Sequence, residues 1–259
     1  MNQSLAPIDN HHWQNISTIA TDMDGTLTHS EQFDAKMFQA LTELSQAGID
    51  VLVTTGRSAG WVQAIATYLP VVGAMAENGG LLYWGNDPQP RLTSEIDIEQ
   101  HRQQLGRVFE LLQSKFPQIK ESPDNYFRIT DWTFEVENLT PRELKLIADI
   151  CQSQGYGFTY STIQCHIKPT YQDKAYGLKQ VISQYFPNLK QEEIVTIGDS
   201  PNDESMFNQE NFPLSVGVAN VQKYRDRLQY LPAYITSQPE GKGFCEIAEL
   251  IINRKTEQN

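Results

Sequence analysis

The feature that most constrains this chain is a rhythm of short apolar strands and helical stretches that breaks off and later resumes. Ile16 to Asp22 is short and β-branched and reads as a buried strand. Phe33 to Gln46 carries apolar residues at helical spacing (Phe33, Met37, Leu41, Leu44), and Gly48 stops it. Ile49 to Thr55 is a second apolar strand. Ser58 then caps a helix that Pro70 ends, and a third strand begins at Val71. Such a β-α-β-α-β run predicts a parallel sheet with helices on both faces.

The pattern changes after a short strand at Gly80–Tyr83. Gly85 to Pro90 has loop chemistry, and a long helix follows from Glu95 to Phe116. Strands are expected at Tyr126–Thr130 and Thr133–Val136, a helix from Thr140-Pro141 to Ser153, and strands at Gly157–Tyr160 and Ile163–Lys168. That order suggests an antiparallel sheet covered by two helices. After Pro169 the alternation returns, with helices at Asp173–Tyr185, Pro201–Phe207, Val221–Leu228 and Lys242–Ile252. Strands are expected at Glu193–Ile197, Leu214–Val218 and Tyr234-Ile235. The fold class is therefore α/β: a doubly wound, Rossmann-like parallel-sheet core with an inserted α+β cap domain. The expected division is a disordered lead-in at 1–15, a core at 16–85 and 166–259, and the cap at 86–165.

Composition excludes several functions. With 32 acidic against 20 basic residues the net charge is −12, and no Lys/Arg cluster interrupts it. A nucleic-acid or anionic-membrane partner calls for the opposite balance. No apolar run has the length of a membrane span, and the N-terminus lacks a signal-peptide core, so a cytoplasmic protein is expected. Three widely spaced cysteines without a Cys-x-x-Cys pair rule out a disulfide framework or a cysteine-built zinc site.

The chemistry gathers where strands end, the edge at which α/β sheets bind ligands. Asp22-Met23-Asp24-Gly25-Thr26 places two carboxylates on a turn after the first strand. Alone it also reads as an Asx turn. The second strand ends in Thr54-Thr55-Gly56-Arg57, which suits an anion but also fits a helix cap with a surface arginine. Another strand runs into Gly198-Asp199-Ser200-Pro201-Asn202-Asp203, where helix capping would account for one of the two carboxylates. Lys174 opens a helix, where a cation opposes the helix dipole. Facing Asp22, Asp24, Asp199 and Asp203 it has an electrostatic purpose. Four carboxylates with no His or Cys among them call for a divalent cation bound by oxygen, Mg²⁺ rather than zinc.

These four segments, in this order, resemble the motifs of the haloacid dehalogenase superfamily of phosphohydrolases. The insertion between the second and third motifs is similar to the C2-capped, Cof-type subfamily IIB. Glu77-Asn78-Gly79-Gly80 and Gly241-Lys242-Gly243-Phe244 resemble signatures of that branch, and the likeness runs from Ile16 to about Ile252. Lys174 is followed by Ala175, where the family usually has glycine. The resemblance implies a Mg²⁺-dependent phosphatase of a small phosphorylated metabolite, a sugar phosphate first of all, working through an aspartyl-phosphate. Within the branch, the Glu-Asn-Gly-Gly segment resembles mannosyl-3-phosphoglycerate phosphatases, and sucrose-phosphate phosphatases are also relatives. It implies Asp22 as nucleophile and Asp24 as acid and base. Metal would be held by the Asp22 carboxylate, the Asp24 carbonyl and Asp199, with Asp203 positioning metal-bound water. Thr55, Gly56 and Lys174 would bind the phosphoryl group. Arg57, Asn78 and Asn202 are candidate substrate contacts, with a positive-φ turn the alternative for Asn78. His166 and Lys168 lie where the cap returns to the core, with solvent exposure the alternative. Arg128, Asp131 and Trp132 are candidates for substrate selection by their place in the cap. A phosphomannomutase-like phosphotransferase and a catalytically lapsed binding protein on the same fold are the competing expectations.

Overall fold

Among the described residues nine strands form one sheet, in the spatial order 6–7, 234–235, 215–217, 194–198, 18–21, 50–54, 73–76, 81–84 and 91–92. The computed structural model describes residues 5–11, 13–161 and 163–256. The central strands are β2 (Thr18–Thr21), β3 (Asp50–Thr54), β4 (Gly73–Ala76) and β10 (Ile194–Gly198), all parallel. β1 (Ala6–Pro7), β11 (Ser215–Gly217) and β12 (Tyr234–Ile235) extend the parallel side, while β5 (Leu81–Trp84) and β6 (Arg91–Leu92) add antiparallel strands at the other edge.

Side chains alternate between the two faces of each strand, and the packing follows that period. Ile19, Val51, Val53 and Val195 face a core shared with α1 (Ala35–Gln46), α2 (Ala59–Tyr68) and α7 (Glu240–Thr256). Their neighbours Ala20 and Leu52 face the opposite layer, with Leu178 and Val181 of α5 (Lys174–Tyr185) and Met206 of α6 (Glu204–Phe207). Helix α1 begins two residues later than expected because Asp34 accepts from the Met37 amide and caps it.

A second sheet, order β7-β9-β8, is antiparallel and comprises β7 (Trp132–Glu135), β8 (Tyr156–Tyr160) and β9 (Gln164–Pro169). Helices α3 (Ile98–Lys115) and α4 (Pro141–Ser153) cover one face through Leu105, Phe109, Leu112, Leu144 and Ile147. Thr140 and Glu143 close a reciprocal capping box at the start of α4. Among the described residues no helix is long and apolar enough to cross a membrane. Cys151, Cys165 and Cys245 are free thiols.

Four expectations are corrected. The segment 1–15 is not a disordered lead-in where it is described: β1 pairs with β12, and Trp13 is wholly buried, its indole N–H donating to Ile8 O at 2.8 Å. Residues 1–4 and 12 of that segment lie outside the described residues. The insertion is bounded differently from 86–165, because β6 joins the large sheet and β9 runs to Pro169 in the small one. Tyr126–Thr130 is not a strand. Pro123–Phe127 is a 3-10 turn, and the Asn125 side chain takes the place of a partner strand, donating to Thr133 O and accepting from Thr133 N. Residues 221–227 belong to a run of 3-10 turns, Ala219–Arg227, rather than an α-helix, and Leu228 follows it.

Candidate active site

The carboxyl ends of β2, β3, β4 and β10 meet at one edge. The Asp22 amide still donates to Ile197 O at 2.9 Å, so strand pairing holds this residue to the moment it leaves the sheet. Asp203 returns its Oδ2 to the amides of Asp199 and Ser200, at 2.9 and 3.0 Å. That return needs Gly198, since a Cβ there would lie 2.5 Å from the Asp203 side chain.

Lys174 lies beneath these acids with no exposure. Its Nζ donates to Asp22 Oδ1 at 2.5 Å and to Asp203 Oδ1 at 2.6 Å. These bonds outweigh the unfavourable placement of a cation in the first turn of α5, whose amide at Tyr176 is capped by Asp173. Burial opposes a charged Lys174, but Asp203 and Asp22 raise its pKa above the ordinary lysine value. Asp22 is pushed up to about 7, first by burial and then by the charge of Asp203. Burial and the same neighbour raise Asp199 well above the carboxylate range. Among the described residues the side-chain partners of the Asp199 carboxylate are neutral, Thr26 Oγ1 at 3.1 Å and Asn220 Nδ2 at 2.8 Å.

Arg57 grips Asp24 with two bonds, Nε to Oδ2 at 2.8 Å and an Nη to Oδ1 at 2.6 Å, and stacks over Trp61. Among the described residues Lys174 and Arg57 are thus the cations bonded to a group of four carboxylates, which leaves two negative charges unanswered. Asp22, Asp199 and Asp203 bring oxygen atoms within 4.8 Å of one another. A buried, all-oxygen donor set with this charge deficit fits a hard divalent cation. The carboxylate of Asp24 is turned to Arg57 and stands outside that trio.

Above the acids lies a cavity of about 10 Å³, lined by Asp22, Asp24, Thr55, Arg57, His166 and Asn202 among others. It has room for one water. Its roof is the polar face of β9, where Gln164 and His166 alternate with Cys165 and Ile167, which point into the inserted module's own core. His166 Nδ1 lies 2.8 Å from Asp131 Oδ2, and Arg128 binds both oxygens of Asp131. Arg128 also donates to Gly56 O, at 2.9 Å, so one buried side chain ties the insertion to the strand-end loop below it. Despite burial, Arg128 and His166 hold Asp131 below its usual pKa. Burial lowers that of His166 even though Asp131 opposes the shift.

Glu77 makes a second tie. Its buried carboxylate accepts from the amides of Ala59, Ile129 and Thr130 and from the Thr130 hydroxyl. It therefore caps α2 in place of Ser58, whose side chain makes no capping bond. Burial, then the charge of Asp131, pushes its pKa up to about 6.

Residues 16–247 match the family model for sucrose-6F-phosphate phosphohydrolase. The chain belongs to that family of haloacid dehalogenase phosphatases. The phosphatase is 26% identical over 244 residues to phosphoglycolate phosphatase 1 of Saccharolobus solfataricus, covering 92% of this chain and 96% of the relative. It is 27% identical over 244 residues to a phosphoglycolate phosphatase of Sulfolobus acidocaldarius, with 92% and 97% covered. In fold it is similar to a Thermoplasma acidophilum protein, with a TM-score of 0.73, 22% identity and coverage of 91% and 99%. The C-terminal domain of a C. albicans trehalose-6-phosphate phosphatase has a TM-score of 0.70 at 15% identity, with 98% and 99% covered.

Every residue singled out in the four motifs of this phosphatase lies at the one strand edge. Asn78 combines the two expectations, having φ 54° and accepting from Asn202 Nδ2 at 3.0 Å. Lys168 and His166 do not face solvent; both are buried, and Lys168 donates to Gln172 O. Trp132 stacks under Arg102 rather than lining the cavity. The motifs contain Thr26 and Glu77 but gave neither a role, and they omit Asn220; Thr26 and Asn220 hold Asp199, and Glu77 makes the clasp. The signal for His166 was present in the polar–apolar alternation of residues 164–168, which gives β9 a polar face.

Proposed function

We propose that this phosphatase is a Mg²⁺-dependent phosphomonoesterase that acts on a sugar phosphate through an aspartyl-phosphate. The observation that carries the reading is the group of four carboxylates, three of them buried, answered among the described residues by two bonded cations, with Asp22 opening on the cavity. Asp22, Asp199 and Asp203 would hold the metal, which when bound neutralises their repulsion and the charge of the phosphoryl oxygens. An Asp22 oxygen attacks phosphorus as the bond to the leaving oxygen breaks. Asp24, taking up a proton from solvent as the ester binds, gives it to that oxygen, and afterwards takes one from the water that releases phosphate and restores Asp22. To do so it exchanges one of its bonds to Arg57 for the leaving oxygen. Thr55, the Gly56 amide and Lys174 steady the phosphoryl oxygens.

Residues from about 94 to 170 act as the cap. A one-water cavity cannot admit a phosphate ester, so the cap opens for substrate and closes to exclude solvent. The names of the archaeal relatives support phosphoglycolate as the second substrate reading. Release of inorganic phosphate from a sugar-phosphate panel tests the proposal. Release should stop with EDTA, return with Mg²⁺, and be lost in Asp22→Asn. Activity in the metal-free protein, full turnover by a folded Asp22→Asn, or isomerised sugar phosphate in place of free phosphate would overturn it.

A further inference from the structure

The cap side of the cavity has a definite hydrogen-bonding polarity. His166 is buried and reaches the cavity between the Gly56 backbone below and Asp131 above. A Cβ at Gly56 would lie 3.1 Å from His166 Cε1 and 3.2 Å from Nε2, so glycine here lets the ring settle on the loop. A carboxylate only accepts, so the proton between Nδ1 and Asp131 Oδ2 belongs to Nδ1. Arg128, at 2.9 and 3.1 Å from the two oxygens of Asp131, is shared with Asp124, and the His166 ring is 1% exposed, so a charge placed on it would be taken almost wholly out of water. The ring is therefore neutral, and Nε2 carries a lone pair. Among the described residues nothing donates to it.

The nearby cations are each already matched by a carboxylate. Arg57 gives Nε and one Nη to Asp24, whose carboxylate balances its charge. Arg128 has all five N–H groups engaged, by Asp124, Asp131, Gly56 O and Gln164. The remaining described cap groups at the cavity are neutral. They include Gln164 and Ser161, whose hydroxyl oxygen accepts from the amides of Ile163 and Gln164 and keeps its proton to donate.

We propose that His166 is a specificity-determining residue whose Nε2 accepts a hydrogen bond from a hydroxyl of the leaving group. The site therefore takes phosphorylated polyols or sugars and rejects phosphate esters carrying a carboxylate next to the phosphate, such as phosphoglycolate. The inference rests on the phosphomonoesterase reading above. A carboxylate brought against an acceptor lone pair would be desolvated with no partner, and sites built to hydrogen-bond a hydroxyl discriminate strongly against its absence.

The test compares kcat/KM for hexose, pentose and polyol phosphates, phosphoglycolate and p-nitrophenyl phosphate. The best hydroxylated ester should exceed phosphoglycolate by about tenfold or more. In His166→Phe the ratio of that ester to p-nitrophenyl phosphate should fall by about tenfold or more, chiefly through KM, and His166→Gln, which restores an acceptor, should recover part of it. Independently of any variant, ¹⁵N spectra of the intact protein at neutral pH should show His166 protonated at Nδ1 alone. Preference for phosphoglycolate, an Nε2–H or doubly protonated ring, or an unchanged ratio in a folded His166→Phe would overturn the proposal and leave the phosphatase reading standing. No Mg²⁺-dependent hydrolysis of any ester would overturn both.

Discussion

Removing the guanidinium of Arg128 should be among the most damaging single changes in the molecule outside its hydrophobic cores. Neither Arg128 nor Asp131 has any side-chain exposure, and they meet at 2.9 and 3.1 Å. Arg128→Met preserves the length and apolar bulk of the side chain while removing all of its donors. Asp131 would keep His166 as its partner but lose the positive charge that balances it. Breaking a buried pair from one side costs about 3–5 kcal/mol, because a charge is left without compensation. That is a large part of the roughly 5–15 kcal/mol that holds a typical domain together. Asp131→Asn added to Arg128→Met removes the stranded charge, so the double variant should be more stable than the sum of the single losses by about 1–3 kcal/mol. Urea unfolding of the four proteins at neutral pH measures this directly. The gap between wild type and Arg128→Met should narrow in acid, because the lowered pKa of Asp131 contributes stability that disappears as pH falls through that pKa. A loss below about 1 kcal/mol in Arg128→Met, or strict additivity in the double variant, would refute the reasoning.

Glu77→Gln should reveal the raised pKa of Glu77. A shift from 4.5 to about 6 stabilises the fold below pH 4.5, and this contribution, about 2 kcal/mol, is lost as pH rises through 6. Wild type should therefore gain on Glu77→Gln between pH 7 and 4.5 in parallel denaturant titrations; a constant gap contradicts the burial argument. Trp13→Ala should cost about 3–5 kcal/mol by thermal or urea unfolding, since it opens a large void beneath the N-terminal segment, and a loss near zero would mean that the segment does not pack there in solution. Replacing residues 94–170 by a short flexible linker should leave a folded core that hydrolyses p-nitrophenyl phosphate weakly with Mg²⁺ and no longer distinguishes natural esters. A shortened protein that still discriminates as the whole chain does would place specificity outside the cap.

Much of the fold was legible because its determinants are local. Apolar period and turn chemistry separate strands from helices within a dozen residues, and strand ends locate the site without knowledge of the packing. Asp22, Thr55, Lys174, Asp199 and Asp203 could be brought together on that basis. The small strands were harder. β1 and β6 have two residues each, too few to show a period, and exist because longer strands already stand beside them. Tyr126–Thr130 has the composition of a strand, but Asn125 satisfies the edge of β7 through its side chain and removes the need for one.

What the sequence alone determined was the doubly wound core, the existence of an insertion, and the identity of the groups at the strand edge. The tertiary structure decided how those groups are committed. It turns Arg57 onto Asp24, lets Glu77 rather than Ser58 cap α2 while binding residues 129 and 130, and makes His166 an acceptor by setting Asp131 and Arg128 behind it. The reason is physical. A backbone period is written in neighbouring residues, whereas the partner of a buried polar group is whichever donor or acceptor the packed layers bring within 3 Å, and in this chain those partners come from distant segments.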